Sequence, residues 1–228
     1  MTVIADNLEK IRERIRRYEL KYHRAQGSVR LLAASKGRSI AEIRSAMAGG
    51  QRDFGENYLQ EAAAKMEILN DPSVCWHFIG PVQSNKCRGI AARFAWVHSL
   101  DRMKIARRLN DMRPDAAPPL NVCIEINISG ETTKSGVAPE KLPGLAEAIS
   151  GMPRLRLRGL MAMPEPAADI AAQRGPLRRL FELYTQLQAK GLPLDTLSAG
   201  TTDDMEAAIA EGSTLVRIGT AIFGPRPQ

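Results

Sequence analysis

The sequence predicts an α/β protein: a single (β/α)8 barrel of the TIM type, preceded by one extra helix. Three observations predict it. Short apolar runs and amphipathic stretches alternate strictly from residue 29 to residue 224. The chain has 228 residues, room for eight such units in one domain spanning 1–228. The competing arrangement, an open doubly wound sheet, usually carries a Gly-rich dinucleotide turn, and neither GxGxxG nor GxxxxGK(S/T) occurs.

Residues 1–28 form a lead-in, with a charged helix over MTVIADNLEKIRERIRRYEL, and 29–224 form the barrel. VRLLAAS (29–35) is the first strand. Ser39 and Glu42 make a capping box for a helix from Ser39 to Gly49, with Ile40, Ile43 and Met47 on one face. QRDFGE supplies the second strand, followed by a helix from about Asn57 to Leu69. WHFIG (76–80) leads into a helix near 83–93, and WVHSL (96–100) into one capped by Asp101. NVCIEIN (121–127) precedes a helix near 140–150, whose start Pro143 pushes later than Pro139 suggests. LRGLMAM (157–163) runs through a longer loop to a helix from about Pro176. LDTLSAG (194–200), a helix near 203–211 and LVRIGTAIFG (215–224) complete the series. Each strand but the last is expected to carry a helix of roughly ten residues or more behind it.

Composition bounds the function. No apolar run approaches the roughly 18 residues of a membrane span, and the N-terminus lacks a signal-peptide core. A cytoplasmic protein with no membrane partner is the expectation. Cys75, Cys87 and Cys123 are odd in number and form no CxxC, as in a reducing compartment. His23, His77 and His98 lack metal-ligand spacing, so no metal is expected. Much of the net charge of +7 sits on the first helix, interleaved with Glu9, Glu13 and Glu19. With 5% aromatic residues, that reads as a solvated helix face rather than a nucleic-acid surface. The excess charge still favours small anionic ligands.

In such a barrel the C-terminal ends of all strands meet at one mouth, where active sites lie. Lys36, Asn57, Gly80, Gly200, Gly219 and Thr220 fall there. SAGTTDD (198–204) and RIGT (217–220) follow strands seven and eight, where glycine N–H groups and the hydroxyls of Thr201, Thr202 and Thr220 suit a phosphate. The alternative is that Thr202 caps the next helix. Arg217 interrupts an apolar run and must be paired, either with a carboxylate such as Glu125 or with a ligand acceptor. A rim lysine of lowered pKa can condense with a carbonyl. Lysine, phosphate cradle and arginine together are what pyridoxal 5′-phosphate (PLP) needs; a class I aldolase needs the first two alone.

The stretches ASK (34–36), FGENYLQE (54–61), WHFIGPVQSNK (76–86), HSLDR (98–102), NVCIEINISGETTKSG (121–136), LSAGTTDDMEAAIAEGST (197–214) and VRIGTAIFG (216–224) occur in order along the chain. On these the protein resembles the PLP homeostasis family (YggS type), itself similar to the N-terminal barrel of alanine racemase. The resemblance implies a PLP aldimine on Lys36, Arg217 facing the pyridine nitrogen, Gly219 and Thr220 on the phosphate, and Asn57 near the ring. The family usually has Met-Ser where this chain has Thr201-Thr202; Thr202 keeps the hydroxyl. His77 either lines the mouth or packs beneath it. Lys134, in the loop after strand five, is either a transient second amine during hand-off or a solvated lysine.

An arginine partner keeps the pyridine nitrogen unprotonated, because arginine does not surrender its proton. That makes a weak electron sink and argues against transamination. Racemisation in the resembling enzymes uses a second acid/base group from another domain, whereas this sequence stops four residues after Gly224. The expected function is therefore to store, buffer or deliver PLP, with no efficient catalysis. The alternative is a PLP-dependent amino-acid racemase or lyase. Apo PLP-dependent enzymes are the implied recipients, and a monomer the implied state.

Overall fold

The computed structural model describes residues 2–130 and 135–225. Eight parallel strands close into a barrel in sequence order: β1 (Arg30–Ala34), β2 (Asp53–Glu56), β3 (Cys75–Phe78), β4 (Trp96–Leu100), β5 (Leu120–Glu125), β6 (Leu155–Met161), β7 (Thr196–Ser198) and β8 (Leu215–Ile218). β8 returns to β1 with Leu32 opposite Arg217 and Ala33 opposite Ile218. Around them stand α1 (Val3–Lys21), α2 (Ile40–Ala48), α3 (Leu59–Leu69), α4 (Cys87–Arg93), α5 (Met103–Met112), α6 (Leu142–Ser150), α7 (Ile170–Ala189), α8 (Met205–Ala210) and α9 (Thr220–Phe223). Among the described residues no helix is long and apolar enough to cross a membrane.

Strand side chains alternate between two environments, as the period of two requires. Leu31, Phe54, Trp76, Val97, Val122, Leu197 and Val216 face outward into the main core, against helix residues such as Leu8, Ile43, Ile90, Ile105 and Leu180. The opposite parity fills the barrel, and it is polar where layers of Val, Ile and Leu are usual. Trp96, Cys123 and Met161 form a separate cluster there. The Arg30 and Arg158 guanidinium groups lie 5.0 and 4.7 Å from the Trp96 ring centroid. His77 stacks on the same indole at 5.4 Å and His98 at 5.6 Å. Arg158 is paired in turn with Asp195 at 2.5 Å.

α1 buries Leu8, Ile11, Ile15 and Tyr18 and packs on α2, α8 and α9, so it closes the ring where the first and last helices meet. Glu19, fully buried, accepts the Gly27 and Val29 N–H groups at 3.0 and 2.9 Å and steers the lead-in to β1. The exposed basic residues of α1 (Lys10, Arg16, Arg17 and Lys21) face solvent.

The predicted capping box is present: Ser39 Oγ accepts from Glu42 N, and Glu42 answers to the Ser39 N–H at 2.7 Å. Other boundaries differ. α7 starts at Ile170, not Pro176, because Asp169 caps it by accepting the Ala172 N–H at 2.8 Å. Its first turn is largely exposed, so no apolar stripe announces it. Asp101 does not cap α5; its carboxylate pairs with Arg102 at 2.6 Å instead. The segment before α4 is a short 3-10 turn, Ser84–Lys86. α8 has six residues, fewer than expected, and the short α9 follows β8.

Candidate functional site

Lys36 stands just past β1, half-buried, on a loop clamped from both sides. Ser35 Oγ donates to Glu56 Oε1 at 2.6 Å. The buried Lys65 ammonium donates to Ser35 O at 2.8 Å, Glu56 Oε1 at 2.7 Å and Glu61 Oε1 at 2.6 Å. The Gly37 N–H completes the clamp on Glu61 at 2.6 Å. Burial pushes the Glu56 carboxyl upward, and Lys65 and Ser35 offset only part of that. Beyond, the buried Arg38 donates to Phe223 O at 3.3 Å and Pro225 O at 3.0 Å, and stacks on the Phe223 ring. The loops after β1 and β8 are thereby fastened together, with Lys36 and Thr220 on the same side of the molecule.

Two glycines set the spacing of the mouth. A Cβ on Gly219 would lie 3.2 Å from Ala34 O, so β8 ends against β1 close to Lys36. A Cβ on Gly80 would lie 2.3 Å from Asn57 O and 2.7 Å from Asn57 Cα. The end of β3 therefore supports the backbone of Asn57 directly. The Asn57 Oδ1 atom is buried with no hydrogen-bond partner among the described residues, and such an atom calls for a donor.

Over β5–β8 the mouth opens into a cavity of about 540 Å³, within the usual size for a small-molecule site. Glu125, Asn127, Met163, Thr201, Asp204 and Arg217 are among its walls. Arg217 is not ion-paired with Glu125. Its Nη1 donates to Ser198 O at 2.6 Å and Ser198 Oγ at 2.8 Å, and its Nη2 to Ala162 O at 3.0 Å. Its Nε–H and second Nη2 hydrogen have no partner among the described residues. Burial raises the Glu125 carboxyl to about 7; Asp101 adds to this and Arg217 opposes it.

Thr202 does not cap α8. Asp204 is the residue at that position, and it accepts from Thr201 N and Thr201 Oγ1, both at 2.6 Å. The Thr202 hydroxyl has no hydrogen bond among the described residues, and Gly200 is buried beside Ala208. His77 packs beneath the mouth, fully buried inside the barrel. Lys134 lies outside the described residues. Cys75 and Cys123 are pushed to about 12 by burial, which leaves them unreactive as thiols.

The sequence reading missed Asp53, His98, Ser198 and Asp204, and met Glu125 only as a partner for Arg217. A signal existed: Cys75-x-His77, Trp96-x-His98 and Thr196-x-Ser198 repeat a polar or aromatic residue at the strand period on the parity that faces inward.

Residues 6–227 match the family model for the alanine racemase N-terminal domain. The pyridoxal phosphate homeostasis protein of Pseudomonas aeruginosa is 57% identical, over 99% of this chain and 97% of its own. That of Escherichia coli is 48% identical over 99% and 98%. The chain belongs to the pyridoxal phosphate homeostasis protein family. Among solved structures, PipY of Synechococcus elongatus with PLP bound superposes with a TM-score of 0.84 at 33% identity, over 97% of this chain and all of PipY. Alanine racemase from Corynebacterium glutamicum has the same barrel, with a TM-score of 0.70 at 17% identity over 61% of that enzyme.

Proposed function

We propose that this chain binds PLP in the barrel mouth and stores or delivers it, with Lys36 as the covalent anchor. The observation that carries this reading is Arg217: a buried guanidinium, fixed by backbone carbonyls, with N–H groups left over at the cavity. The residues present fit the group. The Asn57 amide N–H groups, which no described residue engages, can donate to a cofactor oxygen, Thr202 keeps a free hydroxyl, and Gly219 with Thr220 offers backbone close to Lys36 for a phosphate. PLP supplies an aldehyde that condenses with an amine with loss of water, and a ring that withdraws electrons. Arg217 keeps its proton and leaves the ring nitrogen unprotonated, which suits retention of the cofactor better than carbanion chemistry. The family name and the PLP held by PipY support the same reading. The recipients are apo forms of PLP-dependent enzymes, and the protein acts as a cytoplasmic monomer.

The test is a visible spectrum of the protein with PLP before and after borohydride, beside Lys36→Ala. A reducible band lost in the variant supports the anchor; no such band in the wild type overturns it. Turnover of a free amino acid at about 1 per second or faster would overturn the storage role. Lys134→Ala is expected to retain the band and slow transfer to an apo-enzyme; unchanged transfer removes Lys134 from the hand-off.

A further inference from the structure

Arg217 is the end of a longer file. Ser198 Oγ lies 2.9 Å from His98 Nδ1, His98 Nε2 lies 2.9 Å from His77 Nδ1, and His77 Nε2 lies 2.8 Å from Asp53 Oδ1. These groups come from β8, β7, β4, β3 and β2 in turn. They cross the barrel from the cavity to its opposite end, where the Asp53 side chain is 30% exposed. We propose that Ser198, His98, His77 and Asp53 are positioning residues that orient Arg217 toward a ligand's ring acceptor. The ligand side of this inference rests on the PLP reading above.

The chemistry of the two ends dictates the order of the hydrogens. Arginine only donates, so Ser198 Oγ accepts from it and has its own hydrogen to give. That hydrogen goes to His98 Nδ1, which must then be an acceptor. His98 therefore carries its hydrogen on Nε2 and donates to His77 Nδ1. His77 in turn carries its hydrogen on Nε2 and donates to Asp53, a carboxylate that only accepts. Each member is satisfied once, in one direction, with both imidazoles neutral. Burial lowers the affinity of both imidazoles for a second proton, and the neighbouring Arg30 acts in the same direction on each; Asp53 opposes it for His77 alone. Arg30 of β1, Arg217 of β8, Cys75 of β3 and Asp53 of β2 are the charged and titratable groups set against the file, with Cys123, Arg158 and Asp195 further along the interior.

Reversing the file turns a lone pair of His77 onto the Asp53 carboxylate and sends the Ser198 hydrogen elsewhere. The same order speaks against a cation at Asp53, Cys75 and His77, whose donor atoms lie within 4.8 Å of one another. A metal there needs the His77 Nε2 lone pair, and Nε2 carries the hydrogen.

The first readout needs no ligand and no core substitution. The chain has three histidines, so His23→Gln leaves the two in the file. Long-range nitrogen–proton NMR on that protein is expected to show both as neutral Nε2–H tautomers from about pH 8 down to about pH 6. An Nδ1–H tautomer at either residue, or a full titration in that range, overturns the proposal. The second readout is the PLP complex. His98→Leu is expected to weaken PLP binding about tenfold and to shift the absorption of the bound cofactor. Asp53→Asn, which still offers an oxygen to His77, is expected to keep near-wild-type behaviour in both; a loss as large as that of His98→Leu would overturn the acceptor role of Asp53. Wild-type affinity and spectrum in His98→Leu would overturn the positioning role. Failure of the wild type to bind PLP would overturn the functional reading and, with it, the ligand half of this one; the order of the hydrogens is judged by NMR in either case.

Discussion

Replacing Glu125 by Gln is expected to stabilise the protein above neutral pH and to change nothing in acid. The Glu125 carboxyl moves from an ordinary 4.5 to about 7, chiefly through burial. Below about pH 4 it is protonated folded or unfolded, and contributes no pH dependence. Between 4.5 and 7 the unfolded chain releases its proton while the folded chain holds it, so stability falls as pH rises. Above 7 the full penalty is in place. At about 1.4 kcal/mol per pH decade, it reaches roughly 3 kcal/mol. Glu125 lines the open cavity, where solvent screens the charge and reduces the figure to about 1.5 kcal/mol. Glutamine has no charge to desolvate and escapes it. The assay is urea unfolding of wild type and Glu125→Gln in matched buffers across that range. The difference between them is expected to grow from near zero at about pH 4 to about 1.5 kcal/mol at about pH 8. A difference that does not vary with pH would refute the reasoning, because an isosteric packing change has no reason to follow the titration.

Three further expectations follow from the geometry. Gly80→Ala forces a Cβ against the Asn57 backbone and is expected to cost about 3 kcal/mol in thermal unfolding; a change below about 0.5 kcal/mol would show that the two loops part easily. Lys65→Met leaves Glu56 buried without its counter-ion, at a cost of about 3 kcal/mol at high pH that shrinks in acid as Glu56 takes a proton; an equal loss in chemical denaturation at both pH values would contradict this. Ser39→Ala removes the cap of α2 for about 1 kcal/mol, measured in urea, and a loss within error would mean that the box is decorative.

The barrel was legible because its signals are local and repeat: an apolar run for each strand, an amphipathic stretch for each helix, and a capping box at Ser39 that the structure reproduces. The start of α7 was not legible, since its first turn lies in solvent and only Asp169, one acidic residue in a polar loop, marks it. That Lys36, Asn57, Gly219 and Thr220 sit at one rim could be read in advance, because each closely follows a strand and all strand ends share one mouth. The file behind Arg217 was hidden for a different reason. Inside a closed barrel both strand faces are buried, so His77 and His98 look no different from core residues until register sets β2, β3 and β4 side by side and closure brings Ser198 of β7 across the interior. Thr201 and Thr202 show the limit of motif reading. The hydroxyls are adjacent, and only the side chain of Asp204 decides which of them is engaged.

The wall formed by β3 and β4 holds both tryptophans of the chain, one on each side. Trp76 faces the helices, its ring 5.9 Å from that of Phe54; Trp96 faces inward between guanidinium and imidazole groups. The protein thus carries two built-in fluorophores that sample chemically different spaces a single strand apart. With Trp76→Phe, emission comes from the barrel's interior alone; with Trp96→Phe, from the layer between strands and helices. Loosening of the helical shell and hydration of the polar interior become separately visible as two colours of light from one small protein.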